Sequence, residues 1–229
     1  MPEMAASLVG AVPSVYGGIV NVAAVLMLLI EFLMLRAALL RAQLRLYALQ
    51  SLIVSGLAAY VGATHHAPEL YVLAVLSIAL KVVIVPWVIR RELRTAETEI
   101  AGSGALGVAS EVLIAIVVAA FGFFATGALG LSGRLLPTAA LSSAVALMLV
   151  AFVIMTVRSD VVSQAVGFFT LENSVSLASL VVASGLPLIL EVAFLFDLLV
   201  AVVVFGVLMR VHHGRMSTLS TEPLRRLRG

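Results

Sequence analysis

Residues 167–182 read GFFTLENSVSLASLVV. One acid, Glu172, stands in a run that is otherwise apolar, hydroxylic or amide, and apolar residues continue on both sides. An ionised carboxylate in such surroundings is costly unless something receives it. The setting is general to the chain. Of 229 residues, 62% are hydrophobic and 11% are charged, where a soluble domain carries roughly 25% charged residues. With a mean hydropathy of +1.19, the class is an all-α integral membrane protein. The balance of 14 basic against 12 acidic residues forms no soluble basic patch, so no nucleic-acid partner is expected. Cysteine is absent, which excludes disulfides, thiolate metal sites and cysteine-held clusters from this chain. The opening MPEMAASLVGAVPSVYGG lacks a basic n-region, and no cleaved signal peptide is expected.

Seven apolar windows are long enough to cross a bilayer: 17–39, 42–62, 69–90, 105–130, 137–157, 161–183 and 187–210. Connections such as SGLP at 184–187 make them antiparallel neighbours in a lipid-embedded bundle. Assigning alternate loops to two sides separates the arginines. Arg36, Arg41, Arg45, Arg90, Arg91, Arg94 and Arg158 fall on one side, with the tail arginines from Arg210 onward; Arg134 alone falls on the other. Positive charge marks the cytoplasmic face. The expectation is a prokaryotic inner-membrane protein with its N-terminus outside and its C-terminus in the cytoplasm. His65 and His66 then belong to an outer loop, and His212 and His213 to the inner tail. Adjacent histidines rarely share one metal geometry, and solvated loop residues are the better reading.

Six ionisable residues remain within spans: Glu31, Lys81, Glu111, Glu172, Glu191 and Asp197. Lys81, in LSIALKVVIVPWVI, is the only lysine of the chain. At 1.5 Å per residue, Glu172, Asp197 and Lys81 each lie roughly 15–16 Å from a span end, near the midplane of a core about 30 Å thick. Glu111 is shallower, near the inner face; Glu31 is intermediate; Glu191 reaches the outer interface. A charge at the centre costs about 2.5–3.5 kcal/mol on insertion scales. Desolvation penalises the charged form of acids and lysine alike, which favours proton exchange. Three such groups at one depth suit a lateral proton relay, with Glu31 and Glu111 as further relay members or partners. Ser176 and Ser179 follow Glu172 at i+4 and i+7, and Gln164 precedes it at i−8, so these could hold a short water file. The plainer reading of the serines is close helix approach. The expected partner of Lys81 is a carboxylate on a facing helix, such as Glu31, or one on a neighbouring subunit. Glu172→Gln is expected to leave assembly intact while removing a proton site.

The chain also repeats itself. RAALLRAQLRLYALQSLIVSGLAAYVG, from Arg36, parallels RSDVVSQAVGFFTLENSVSLASLVVASG, from Arg158. In each, an arginine closes a span, and a polar residue follows fourteen positions later, Gln50 or Glu172. The next span carries one central charge, Lys81 or Asp197, and ends in basic residues. The expected organisation is an N-terminal three-helix unit over 1–100, a linking transmembrane helix over 101–133, a second three-helix unit over 134–211 in parallel topology, and a basic cytoplasmic tail over 212–229.

The second copy resembles the K-type subunit of respiratory complex I and its relatives in multi-subunit cation/proton antiporters. In that family two membrane glutamates are tied to proton translocation. Glu172 matches the first, and Asp197 falls at the second, with aspartate for glutamate. The whole chain is similar to hydrogenase-4 component E, through LYALQSLIV, LKVVIVPWVI, LENSVSLASLVV and FDLLVAVVVFGVLMR. The resemblance implies a membrane-arm subunit without a catalytic site of its own, in a complex-I-like energy-converting hydrogenase or formate hydrogenlyase assembly. Its implied partners are antiporter-like large membrane subunits, a heel-type membrane subunit and peripheral redox subunits. Iron–sulfur clusters, and a nickel–iron site where a hydrogenase is attached, would sit on those partners and not on this chain. A K-like subunit of a sodium/proton antiporter, a self-sufficient transporter and a structural scaffold are the rival readings. The sequence lacks the paired broken helices expected of a small transporter.

Overall fold

The computed structural model describes residues 15–66, 68–93, 107–128, 138–182, 199, 201–203, 205 and 206. Glu191, Asp197, His212, His213, Arg134 and most of the seventh expected span lie outside the described residues.

Six helical rods account for nearly all the described chain: α1 Val15–Arg36, α2 Leu40–His65, α3, α4 Val108–Ala128, α5 Thr138–Val157 and α6 Val161–Val182. α3 is continuous but made of three pieces, Pro68–Ser77, a π-helical Ile78–Ile84, and Val85–Leu93. Each rod lies within three residues of an expected span. α1 to α5 are each long and apolar enough to cross a membrane. α6 matches them in length and carries Gln164, Glu172, Asn173 and several hydroxyls among its apolar residues. The first turns and breaks have local causes. Asp160 caps α6, its Oδ1 accepting from the Ser163 N–H at 2.7 Å. His66 closes α2 in the left-handed region, φ 54°, its N–H bonded to Gly62 O.

The outward faces are apolar. Val22, Leu26, Leu29 and Leu33 are exposed along α1, and Leu113, Ile116, Val117 and Phe121 along α4. Their 3–4 residue spacing marks one helical face each. Water would not tolerate such surfaces at this extent, and lipid does. The polar side chains point inward instead: Glu31, Gln50, Ser51, Ser55, Lys81, Glu111, Asn173 and Ser174 are buried.

Small residues let the inner helices touch. A Cβ on Gly122 of α4 would lie 3.0 Å from Ala146 Cα and N of α5. A Cβ on Gly167 of α6 would lie 2.8 Å from Met155 Cγ. Gly122→Val therefore has to push α4 off the α5 backbone, at about 1–3 kcal/mol. Gly127, on the same helix, has nothing within 4 Å of its would-be Cβ; Gly127→Ala should stay within about 0.5 kcal/mol. Thermal midpoints of the two variants in one detergent test the difference.

α2 and α6 run parallel at the centre. Gln43 meets Ser163, Tyr47 stacks near Phe169 with centroids 5.6 Å apart, and Gln50 meets Asn173, so residue numbers rise together along both helices. Their starts are built alike. Gln43 Nε2 donates to Ala37 O at 3.0 Å, and Gln164 Nε2 donates to Arg158 O at 2.9 Å, each reaching back six residues. These matched bonds stand 164 − 43 = 121 residues apart, one fewer than the arginine match in the sequence. By that register Glu172 corresponds to Ser51 and not to Gln50. At the same end, Phe205 packs against Phe168 and Phe169, with centroids 6.1 and 6.0 Å away.

Candidate functional site

The π-helical segment presents Lys81. Val85 N–H donates to Leu80 O, five residues back, in the wider turn of a π-helix, a feature frequent at functional sites. Pro86 follows at once and has no N–H to continue the ladder. Lys81 is the buried residue of this segment, 1% exposed. It lies 13 residues after Pro68 and 12 before Leu93, at the centre of α3.

Glu172 lies 11 residues after Val161 and 10 before Val182, at the centre of α6, and forms an ion pair with Lys81. Lys81 Nζ also donates to Asn173 Oδ1 at 3.1 Å and to Ser176 Oγ at 3.3 Å. The ammonium thus has two hydrogen-bond acceptors besides the carboxylate it is ion-paired with. Ser176 Oγ in turn donates to Glu172 Oε1 at 3.3 Å. Asn173 extends the network: its Nδ2 donates to Gln50 Oε1 at 3.1 Å and to Ser51 Oγ at 2.9 Å. Gln50 Nε2 donates to Met27 O at 3.3 Å. One hydrogen-bonded chain thus crosses from α3 through α6 and α2 to α1. Lys81 and its charge polarise every donor in that chain toward α1, and such chains strengthen cooperatively.

A cavity of about 30 Å³ adjoins the pair, lined by Ser55, Ser77, Lys81, Glu172, Ser176 and Ser179 among others. That volume is enough for about one or two waters, and Val54, Ala58, Leu73 and Leu180 make up the rest of its wall. Ser55 Oγ donates to Ser77 Oγ at 2.8 Å on its wall. Ser179 Oγ is buried with no hydrogen-bond partner among the described residues.

The structure brings Lys81, Glu172, Ser176 and Gln50 together. It corrects two readings of the sequence. The partner of Lys81 is Glu172 and not Glu31. Glu31 is fully buried on α1 and faces Gln50 and Thr170, with no hydrogen bond of ordinary geometry at either oxygen. Gln164 is not part of a water file with Glu172, because its amide caps Arg158 O at the helix start. Glu172→Gln would set an amide where Lys81 now has its counter-charge. Glu111 stands apart from the central network. It lies 3.8 Å from Arg158 Nη2, which also donates to Leu35 O, so this pair ties together α4, α1 and the end of α5. His65 and His66 gain no metal reading: no group of three His, Cys, Asp or Glu suited to a metal occurs among the described residues. Asp197 lies outside the described residues.

Asn173 is the residue the sequence under-reported. Its signal was present, an amide directly after the buried acid in a span centre. Its role as the junction of three helices, α2, α3 and α6, needed the packing.

Over 170 residues the chain is 29% identical to the uncharacterized protein Rv0085 of Mycobacterium tuberculosis, covering 74% of this chain and 77% of that protein. No family model and no solved structure matches the chain.

Proposed function

We propose that this chain is a non-catalytic membrane-arm subunit of a complex-I-like proton-translocating oxidoreductase, of the energy-converting hydrogenase or formate hydrogenlyase type. The observation that carries the reading is the Lys81–Glu172 pair at the centres of two helices, set against a small cavity walled by serine hydroxyls and apolar side chains. A membrane-buried ionisable pair is a functional site by default. The cavity gives Glu172 a wet side and the amide chain gives it a dry one. Protons would enter and leave by the wet side, with Lys81 as the neighbouring charge that sets whether Glu172 holds its proton. Asp197 would extend the row. The parallel course of α2 and α6 and the matched caps of Gln43 and Gln164 support two three-helix units in one chain, and the arginine asymmetry of the sequence supports seven spans with the N-terminus outside.

Reporter fusions after Ala63 and after Glu97 should give opposite signals, periplasmic for the first and cytoplasmic for the second. Equal signals would end the orientation and the span count. Mass spectrometry of the native complex should find antiporter-like large subunits, a heel-type membrane subunit and iron–sulfur proteins. The relay is tested by proton flux per turnover in assembled complexes carrying Glu172→Gln or Asp197→Asn. Wild-type flux in either removes that residue from the path.

The ion pair also favours a second reading, the scaffold. Lys81 and Glu172 satisfy each other, and a satisfied pair fixes helix register without carrying anything. The same flux measurement separates the two.

A further inference from the structure

The ammonium of Lys81 sits as a bound cation would. It is ion-paired with the Glu172 carboxylate and donates to Asn173 Oδ1 and Ser176 Oγ. This cage has a single formal negative charge and otherwise neutral hard oxygens, the donor type that suits hard cations. On its other flank the cavity adds the hydroxyls of Ser55, Ser77 and Ser179, the last with no partner among the described residues.

Charge balance decides what fits. One carboxylate neutralises one positive charge; a divalent ion, or a free cation beside charged Lys81, would leave net charge at the centre of the bundle, which is costly. If Lys81 releases its proton, two arrangements keep the pocket neutral. The carboxylate takes a proton, or a free cation takes the place of the ammonium, with the cavity hydroxyls completing its shell. We infer that the Lys81–Glu172 pocket is a monovalent-cation site, in which the lysine ammonium and a small free cation such as sodium, potassium or ammonium exclude each other. Entry of one cation releases one proton from Lys81, and the net charge is unchanged. The inference shares its residues with the proposed relay, but it concerns equilibrium binding and needs no turnover.

The test uses the purified full-length chain in detergent. Lys81→Met keeps the stem and stops one atom short of Nζ, which clears the ammonium position. Sodium, potassium and ammonium chlorides are each titrated against choline chloride at fixed ionic strength. The thermal midpoint of Lys81→Met should rise saturably, by about 5–10 °C, with at least one of the three cations. Lys81→Met/Glu172→Gln should not respond. For the wild type at alkaline pH in weak buffer, the same cations should release protons in stoichiometric amounts. Equal responses from the single and double variants would overturn the inference. So would absent proton release from the wild type, a readout that does not depend on any variant folding. No cation response in Lys81→Met and no proton release from the wild type, together with lost pumping in assembled Glu172→Gln complexes, would remove the cation site and leave the relay standing.

Discussion

In choline-only buffer, Lys81→Met should destabilise the chain by about 3–5 kcal/mol, and adding Glu172→Gln should restore most of the loss. The single variant leaves a carboxylate that is 10% exposed without its counter-charge, and Ser176 alone remains to bond it. The double variant removes both charges and keeps two side chains of similar volume. Reversible unfolding in mixed micelles gives the two midpoints. If the double variant is no more stable than the single one, the ion pair is not what holds the two helices in register. The double variant also decides between relay and scaffold, because it should assemble. Proton flux per turnover near the wild-type level there assigns the pair to architecture. Lost flux with intact assembly assigns it to transport.

Asn173→Leu should be nearly as damaging, at about 2–4 kcal/mol. Leucine has comparable bulk, but it strips an acceptor from Lys81 and donors from Gln50 Oε1 and Ser51 Oγ, and each buried group left unmatched costs about 1–3 kcal/mol. Ser55→Ala is the fitting comparison, because it removes bonds to Ser77 and to the Ser51 carbonyl at the cavity wall and not at the junction of the helices. Its cost should be about 0.5–1.5 kcal/mol. Equal midpoints for the two variants would mean that Asn173 is not the junction its bonds describe.

The helical rods were legible in the sequence because length and apolarity are properties of a line. α5 and α6 begin and end within a residue of their expected spans, and the depths of Lys81 and Glu172 came from counting. Azimuth did not. Gln164 looked close to the face of Glu172, yet eight residues turn a helix by about 80° beyond two full turns, far enough to aim its amide at Arg158 O. Ser176 and Ser179, about 40° and 20° off, do share the cavity with Glu172. The partner of Lys81 was missed for a related reason. A π-helical segment turns more slowly per residue than an α-helix, and nothing in IALKVVI announces one. Glu31 was a reasonable partner by sign and by depth, but it faces α2 and α6, and Lys81 comes in from α3. The interior polarity was visible as residue types, and its wiring was not, because Asn173 joins residues 92, 123 and 122 positions away.

The separation of Lys81 from its acceptors has a consequence for biosynthesis. The ribosome makes Lys81 long before Glu172 exists. At about 5–20 residues per second, the intervening stretch takes roughly 5–20 s. Throughout that interval α3 must enter the bilayer with an ammonium at its middle and with Glu172, its partner in the fold, not yet made. The penalty, about 2.5–3.5 kcal/mol on insertion scales, has to be offset locally by the rest of the segment. The span that carries Lys81, Pro68–Arg91, is the most apolar of the five, and each well-placed leucine, isoleucine or valine returns about 0.3–0.6 kcal/mol. The oily character of α3 is therefore a condition of translation order: it keeps the helix in the membrane until the carboxylate that will neutralise it arrives.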